Sequence, residues 1–198
     1  LLLQWEAAKH PEMADASEAL QSWDRNCNRE NTTAPLFILS LNHLIDSLKS
    51  ADRYTIGNTI SETECAAAIL KGKMEMMEAH QRLSLPLGEL QRHIRDDVNI
   101  PLGGAPDVLG AMYSRKLEDG SHQHKGVAGE SYIELVRFSE NGVEIESVNA
   151  YGTSAKPNRL HHTDQMELFA EQKLKTMTLD RERVFEESDT VYVPLGLR

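Results

Sequence analysis

The stretch from Gly126 to Phe169 reads GVAGESYIELVRFSENGVEIESVNAYGTSAKPNRLHHTDQMELF and decides the fold class of this chain. Its centre predicts a β-hairpin, because Asn141-Gly142 is typical of a type I′ turn, which needs positive φ at both central residues. The incoming strand, Tyr132 to Phe138, is apolar on both faces, which predicts a position inside a covered sheet. The outgoing strand alternates apolar residues with glutamates over 143–146, so one of its faces should meet solvent or a polar neighbour.

The part of the chain before this hairpin indicates helices over about residues 1–82. From Ala14 to Trp23 the apolar residues fall on one stripe at helical spacing. Thr32 or Thr33 is expected to cap the next helix. The first turn of that helix contains Pro35, which is tolerated there because its missing N–H would be unpaired in any case.

A third helix is predicted from Cys65 to Gln81. It follows Ser61 and Glu64, which fit the S-x-x-E capping box. Methionines at positions 74, 76 and 77 fall within this helix. We expect their flexible side chains to fill the core rather than to serve a cofactor.

Residues from about 83 to 198 predict a mixture of strands, loops and short helices. Proline and glycine punctuate two loops, Leu85 to Arg92 and Ile100 to Asp107, and a polar surface loop is expected from Ser114 to Lys125. Beyond the hairpin the pattern predicts a helix from Asp164 to Ala170 capped by Asp164, a strand from Lys175 to Leu179, a short helix from Asp180 to Phe185 capped by Asp180, and a strand from Thr190 to Val193. Helices first, then antiparallel strands with short helices, indicate an α+β fold in a single fragment, 1–198.

Composition excludes several classes of protein. A hydrophobic fraction of 40% and a charged fraction of 26% are typical of a globular chain rather than a disordered one. The net charge of -10 argues against a sequence-independent nucleic-acid binder, which needs clustered Lys and Arg, and against docking on anionic lipid. No apolar run reaches the roughly 20 residues that span a bilayer. We therefore expect neither nucleic acid nor membrane as a partner.

Two histidine clusters are candidate metal sites. His122 and His124 are spaced so that both imidazoles could lie on one side of a strand, but their polar context favours solvent-exposed loop histidines. His161, His162 and Asp164 place three potential metal ligands within four positions. Capping by Asp164 is the stronger interpretation, because a carboxylate at a helix start accepts from free N–H groups and complements the helix dipole.

The remaining reactive groups match no catalytic motif. Ser131 follows Gly129-Glu130, but position 133 is Ile, so the G-x-S-x-G nucleophile elbow is absent. We interpret Gly103-Gly104 as a tight turn rather than a nucleotide-binding site, because no G-x-G-x-x-G or Walker pattern follows. Cys27 and Cys65 fit no zinc or redox spacing, and we expect two buried or half-buried thiols.

Several segments together resemble the C-terminal end of the β subunit of penicillin-acylase-family enzymes, and the acyl-homoserine-lactone acylase branch is the most similar. Glu130 stands where the family usually has an acidic or amide residue, Leu160 where it has proline, and Leu87 where it has tryptophan. The segments are Leu20 to Asp24, Ala34 to Phe37, Pro86 to Arg92, Pro101 to Asp107, Gly129 to Tyr132, Tyr151 to Ser154 and His161 to Gln165.

The resemblance implies the C-terminal piece of an αββα N-terminal-nucleophile hydrolase. In such enzymes a Ser that begins the β subunit attacks an amide, and its own α-amine is the base. The oxyanion-hole groups, and calcium ligands in the members that bind calcium, also lie upstream. Residue 1 here is Leu1. We therefore assign no catalytic, cofactor-binding or metal-binding residue to this chain, and we expect it to be an inactive piece of a larger enzyme.

The same resemblance implies partners and a location. The partners are the upstream β-subunit segment, the α subunit and, for the parent enzyme, an N-acylated small molecule. Alone, the fragment is expected to expose an apolar patch and to self-associate. Family members are typically exported, so we expect a periplasmic or secreted protein, in which one bridge between Cys27 and Cys65 is conceivable.

Three hypotheses remain open from the sequence. The first is the C-terminal part of an acylase acting on acyl-homoserine lactones, cyclic lipopeptides or penicillins. The second is a non-enzymatic binding or accessory domain that retains the fold without the nucleophile. The third is a small metalloprotein built on the histidines. A self-cleavage junction encoded upstream would favour the first, and a metal assay would test the third.

Overall fold

The structure is a computed structural model that describes residues 10–51, 59–188 and 190–191. It is α+β, with helices early in the chain and strands later, as predicted. The chain divides into two compact units, Leu1–Glu130 and Ser131–Arg198. This border lies well beyond the predicted change near residue 82. The single-fragment organisation and the four-layer αββα arrangement both stay predictions.

Among the described residues of the first unit, three long helices precede the strands. After a 3-10 turn, Pro11–Met13, they are α1 (Ala14–Ser22), α2 (Ala34–Ser50) and α3 (Glu62–His80). The capping box on α3 is confirmed, since Ser61 Oγ accepts from the Glu64 N–H at 3.2 Å and Glu64 Oε2 accepts from the Ser61 N–H at 2.8 Å. These bonds pair two of the N–H groups that a helix start leaves free.

The predicted threonine cap of α2 is wrong. Thr33 is the N-cap residue, but its side chain makes no capping bond. Asn31 supplies the cap instead, because its Oδ1 accepts from the N–H of Thr33 at 3.0 Å and of Ala34 at 2.8 Å. Pro35 lies in the first turn, as expected.

The core of the first unit lies between the helices. Met13 and Ala16 pack with residues of α2 and α3, and Met76 packs with Leu39 in a second cluster. The predicted core role of the methionine run holds for Met76 alone, because Met74 is 62% exposed and Met77 is also exposed. Positions 74 and 77 lie on a side of α3 that the described part of the chain leaves uncovered.

A four-stranded sheet completes this unit, in the order β2-β1-β4-β3. The predicted loops around it are wrong in part, because proline and glycine mark the ends of short strands here. β2 follows β1 directly and pairs with it in an antiparallel hairpin, whereas β4 comes from much later in the chain and pairs with β1 in parallel. The elements are a short helix α4 (Leu87–Leu90) and the strands β1 (Gln91–Arg95), β2 (Val98–Pro101), β3 (Met112–Lys116) and β4 (His124–Gly129).

The second unit contains an antiparallel sheet in the order β5-β6-β7. Its strands are β5 (Tyr132–Ser139), β6 (Gly142–Asn149) and β7 (Lys175–Met177). The hairpin is present, but the predicted turn is wrong, because Ser139 pairs with Gly142 and the turn residues are Glu140 and Asn141. Of the four residues 139–142, only Gly142 has positive φ, at 121°. The strand Tyr132 to Phe138 is largely exposed in this chain, and its cover by a segment outside the chain stays a prediction.

Two short helices flank β7. They are α5 (Met166–Ala170) and α6 (Arg181–Glu186). The cap by Asp180 is confirmed, since its carboxylate accepts from the Arg183 N–H at 3.1 Å. The cap by Asp164 is wrong, because α5 begins two residues later, after Gln165, and has no side-chain cap. The strand expected over Thr190 to Val193 lies largely outside the described residues. Within the described ranges, no helix is long and apolar enough to cross a bilayer.

Candidate functional site

The loop between α1 and α2 is built by side chains that bond to nearby backbone. Asp24 Oδ1 accepts from the N–H of Asn26 and from Nδ2 of Asn31, each at 2.9 Å. Trp23 Nε1 donates to the Asn26 carbonyl at 3.0 Å, and its ring lies 4.8 Å from that of Phe37. Asn and Asp side chains of this kind stabilise tight turns by replacing backbone partners. The Trp-Asp pair therefore shapes a loop.

The segment before β1 and the segment after β2 both form backbone hydrogen bonds with this loop. The N–H of Gly88 donates to the Arg29 carbonyl at 2.7 Å, and the N–H of Gly104 donates to the Cys27 carbonyl at 2.7 Å. Leu87, which replaces the usual tryptophan, is fully buried. The Gly104 donor is thus committed to the protein itself rather than left to bind an anion. The cluster around Leu87 contains Ala34, Ile38 and Ala105, with Trp23, Cys27 and Phe37 against it.

Gln91 and Arg92 also bind backbone carbonyls. Gln91 is completely buried, and its Nε2 donates to the carbonyls of Gly103 at 2.9 Å and Gly104 at 3.0 Å. Arg92 donates to the Gly88 carbonyl at 2.7 Å, and burial lowers the pKa of its guanidinium. The structure therefore gathers motif residues that lie far apart in sequence into one junction, which holds α2 against the four-stranded sheet.

A comparable junction joins Tyr151–Ser154 to His161–Gln165 in the second unit. The N–H of Ser154 donates to the His161 carbonyl at 2.7 Å, and the N–H of Gln165 donates to the Tyr151 carbonyl at 2.9 Å. A Cβ on Gly152 would lie 2.5 Å from Asp164 Oδ1, so only glycine fits this approach. Gln165 Oε1 accepts from the Asn149 N–H at 2.9 Å at the end of β6.

The cluster His161, His162 and Asp164 does not converge on one point. His161 Nδ1 lies 2.7 Å from Asp164 Oδ2, whereas the buried His162 uses Nδ1 with the Ser154 carbonyl at 3.1 Å. Asp164 thus holds an exposed histidine instead of capping a helix. No group of three or more His, Cys, Asp or Glu side chains in the described ranges is placed to hold a metal ion.

His122 and His124 are also separated by the fold. His122 lies exposed in the loop before β4, with φ of 59°. His124 begins β4 and is only 5% exposed, so the prediction of an exposed loop histidine is wrong for this residue. Pairing of β4 with both β1 and β3 carries His124 into the interior. Its ring there faces Glu75 of α3, with Nε2 4.0 Å from Oε1.

Glu75 connects the helices to the strands, and sequence reasoning missed it. His43 Nε2 on α2 lies 2.9 Å from Glu75 Oε2, and Lys116 Nζ on β3 lies 3.6 Å from Oε1. The three partners of Glu75 come from three different elements. No motif in the sequence signals this arrangement, because the residues are 32 to 49 positions from Glu75, at 43, 116 and 124.

An exposed apolar surface lies on one face of the β5-β6-β7 sheet. Register places Val136 opposite Ile145, and Ile145 opposite Met177, with Phe138 opposite Val143 in the next row. Paired residues of an antiparallel sheet point to the same face. These five residues therefore form one surface, which we call the apolar sheet face. Phe138 is 79% exposed, and Val136, Val143 and Met177 are exposed as well.

A cleft of about 1000 Å³ adjoins this face and ends near the start of α6. Its lining combines apolar side chains of the sheet with Asp180 and Arg183. Exposed apolar surfaces of this kind with a polar rim mark interaction sites. The apolar sheet face is thus the candidate functional site of the second unit.

The remaining candidate nucleophiles are isolated. Ser131 is exposed immediately before β5, and its carbonyl accepts from the Ala150 N–H at 3.0 Å. Cys27 and Cys65 are free and half-buried, as expected, and no bridge joins them. Burial is the main cause that raises the pKa of both thiols, so they are poor nucleophiles near neutral pH.

Comparisons with known proteins identify the family of this chain. The family model described as penicillin amidase matches residues 1–186. Acyl-homoserine lactone acylase PvdQ of Pseudomonas syringae pv. tomato (strain ATCC BAA-871 / DC3000) is 24% identical over 192 residues, which cover 87% of this chain and 24% of that protein. The protein of the same name from Pseudomonas fluorescens (strain Pf0-1) is 22% identical over 183 residues, covering 84% of this chain and 23% of that protein. The chain thus spans about a quarter of the length of these relatives.

Proposed function

The chain belongs to the penicillin amidase family, and from this premise we propose that it is the C-terminal part of an acylase that hydrolyses the amide bond of an N-acylated substrate. The observation that carries the proposal is what the side chains of the family motifs bind. Gln91, Arg92 and Gln165 all bind backbone groups of their own unit. Side chains that bind backbone groups of their own unit stabilise a scaffold. The reacting groups would then lie in another part of the enzyme.

The apolar sheet face supports the same proposal. A sheet with an exposed apolar row buries that row against another layer in a stable fold. The curated relatives are about four times as long as this chain. We infer that another segment of the acylase covers the face defined by Val136, Phe138, Val143, Ile145 and Met177, and that this segment and the chain together support the catalytic groups.

The reaction we propose for the whole enzyme has two steps. A nucleophilic hydroxyl outside this chain forms a bond to the acyl carbon, and the carbon–nitrogen bond breaks as the amine takes up a proton. Water then attacks the acyl-enzyme and releases the carboxylic acid and the free hydroxyl. Hydrogen-bond donors stabilise the oxyanion in both steps. The chain itself supplies no reacting group and is inactive alone.

The names of the relatives suggest acyl-homoserine lactones as substrates. Cyclic lipopeptides and penicillin-like amides contain the same acyl–nitrogen bond and are the alternatives. We also propose a periplasmic or secreted location and, for the whole enzyme, calcium only through residues outside this chain. A non-enzymatic accessory domain is the competing function, since an apolar sheet face would also serve to bind a partner.

The test begins with the gene. We expect the reading frame that encodes Leu1 to continue upstream for several hundred codons and to encode a self-cleavage junction before a Ser. The product of the whole frame should release the amine from acyl-homoserine lactones, whereas the 198-residue chain should not. Ser131→Ala in the whole product is the matched control and should leave turnover unchanged.

Two results would overturn the proposal. A frame without a nucleophile junction would favour the accessory domain. Turnover by the 198-residue chain above a heat-killed control, abolished by Ser131→Ala, would place the active site in this chain.

A further inference from the structure

The carboxylate of Glu75 joins two helices to two strands in the first unit. It contacts His43 of α2 at 2.9 Å, Lys116 of β3 at 3.6 Å and His124 of β4 at 4.0 Å. The side chains of Glu75 and His124 are 23% and 7% exposed, so both are largely shielded from solvent. Charges interact more strongly there than in water. The junction between helices and strands therefore depends on the charge state of these side chains.

The imidazole of His124 has an unsatisfied nitrogen. Its Nδ1 is buried and has no hydrogen-bond partner among the described residues, and the same holds for Nε2 of His80 on α3. A neutral imidazole tolerates this state, because one nitrogen then carries only a lone pair. A protonated imidazole has an N–H at both nitrogens. A buried N–H without an acceptor costs the folded state the desolvation of that group.

Neighbouring charges do not offset this cost. Burial is the main cause that lowers the pKa of His124; Glu75 raises that pKa, whereas Lys116 and His80 lower it further. Burial is also the main cause that lowers the pKa of His80. The other charged groups near His80 are His122 and Arg82, which lower its pKa, and Glu89 and Glu75, which raise it.

Strand β4 pairs with β1 over two residues only. Its parallel pairing with β1 is limited to Gln91 with His124 and Arg92 with Lys125. Its antiparallel pairing with β3 runs the length of both strands, from Met112 with Gly129 to Lys116 with His124. Strands β3 and β4 can therefore separate from β1 as one hairpin, because few backbone hydrogen bonds hold them there.

We propose that His124 and His80 make this junction an acid-sensitive latch, which holds the β3–β4 hairpin on α3 while both imidazoles are neutral and releases it when they are protonated. The direction follows from linkage. When the pKa of a histidine is lower in the folded state, the unfolded or opened state binds protons more readily. The stability is complete above the ordinary histidine pKa of about 6.5 and is lost as the pH falls below it.

The test uses hydrogen exchange of the full 198-residue chain at about pH 7.5 and about pH 5.5, with rates corrected for intrinsic exchange. The amides of 112–129 should lose protection at the lower pH by up to roughly tenfold for each histidine, because pH 5.5 lies about one unit below the ordinary histidine pKa. His124→Gln removes one of the two titrations and should lower the ratio of protection between the two pH values, whereas His124→Gln combined with His80→Gln should bring that ratio close to one. His161→Gln, at an exposed histidine of the second unit, is the matched control and should keep the wild-type ratio.

A second measurement does not depend on how His124→Gln folds. In an NMR titration of the wild-type chain, His124 should titrate below the ordinary histidine pKa of about 6.5. The proposal fails if His124 titrates at or above that value. It also fails if His124→Gln keeps the full pH dependence of protection, since acid would then act on other groups.

Discussion

The side-chain nitrogen of Gln91 donates a hydrogen bond to the carbonyl oxygen of Gly103, with 2.9 Å between the two atoms. Gln91 is completely buried, and it also donates to the Gly104 carbonyl. The amide thus pairs carbonyls of a loop that packs against β1, where water cannot replace it. This contact joins two segments of the family motif pattern and explains the need for an amide at position 91.

Replacement of Gln91 should be costly. Gln91→Leu keeps the volume but leaves the carbonyls of Gly103 and Gly104 without this donor. We expect a loss of about 1–3 kcal/mol in the free energy of unfolding, the usual cost of a buried unsatisfied group. Urea unfolding measures it. Gln123→Leu, in the loop before β4, is the control, and equal losses in the two variants would show that the buried bonds are unimportant.

The hairpin turn should tolerate changes at Asn141 but not at Gly142. Gly142 has φ of 121°, and nothing lies within 4 Å of a Cβ added there, so strain in the backbone is the only penalty. Gly142→Val should destabilise the second unit by about 1–3 kcal/mol. Asn141→Ala, at ordinary φ, should change its thermal stability little. A larger loss of stability for Asn141→Ala than for Gly142→Val would instead support a type I′ turn centred on Asn141-Gly142.

Removal of the side chain should destabilise the protein more at Ser61 than at Asp164, because only Ser61 caps a helix. Ser61→Ala removes the capping box of α3 and should lower the free energy of unfolding by about 1 kcal/mol. Asp164→Ala removes only the contact with the exposed His161, and such pairs contribute about 0–1 kcal/mol. Denaturant midpoints of both variants provide the comparison. A larger loss for Asp164→Ala would mean that this carboxylate stabilises the Tyr151–Ser154 turn directly.

The apolar sheet face should cause the isolated chain to self-associate. A contiguous exposed apolar surface favours association in water. Phe138→Lys places a charge on the face and should shift the chain toward monomer in sedimentation velocity experiments. Leu160→Lys is the matched control, since Leu160 is 77% exposed but lies outside the face. The face would lose its assigned role if the wild-type chain were monomeric at all concentrations, or if both variants acted alike.

Family membership and the α+β class followed from the sequence because both depend on local signals. The capping box at Ser61 and Glu64 and the cap by Asp180 involve residues three apart, so the chain needs no tertiary partner to specify them. The hairpin was predicted for the same reason. Its turn was placed one residue too far along, because two turn geometries share the same Asn-Gly pair and the strand register selects between them.

Only the tertiary structure decided which polar residues are buried. His122 and His124 look alike in sequence, yet β-pairing places one in solvent and the other against Glu75. Asp164 precedes an apolar run like a cap, yet α5 begins after Gln165, and the carboxylate holds His161 instead. Local patterns set propensities within a few residues, whereas burial and long-range hydrogen bonds depend on segments that lie far away along the chain. For this reason the sequence alone determined the family, the long helices and the hairpin, while the four-stranded sheet, the Glu75 junction and the register of the apolar sheet face emerged only when the chain was folded.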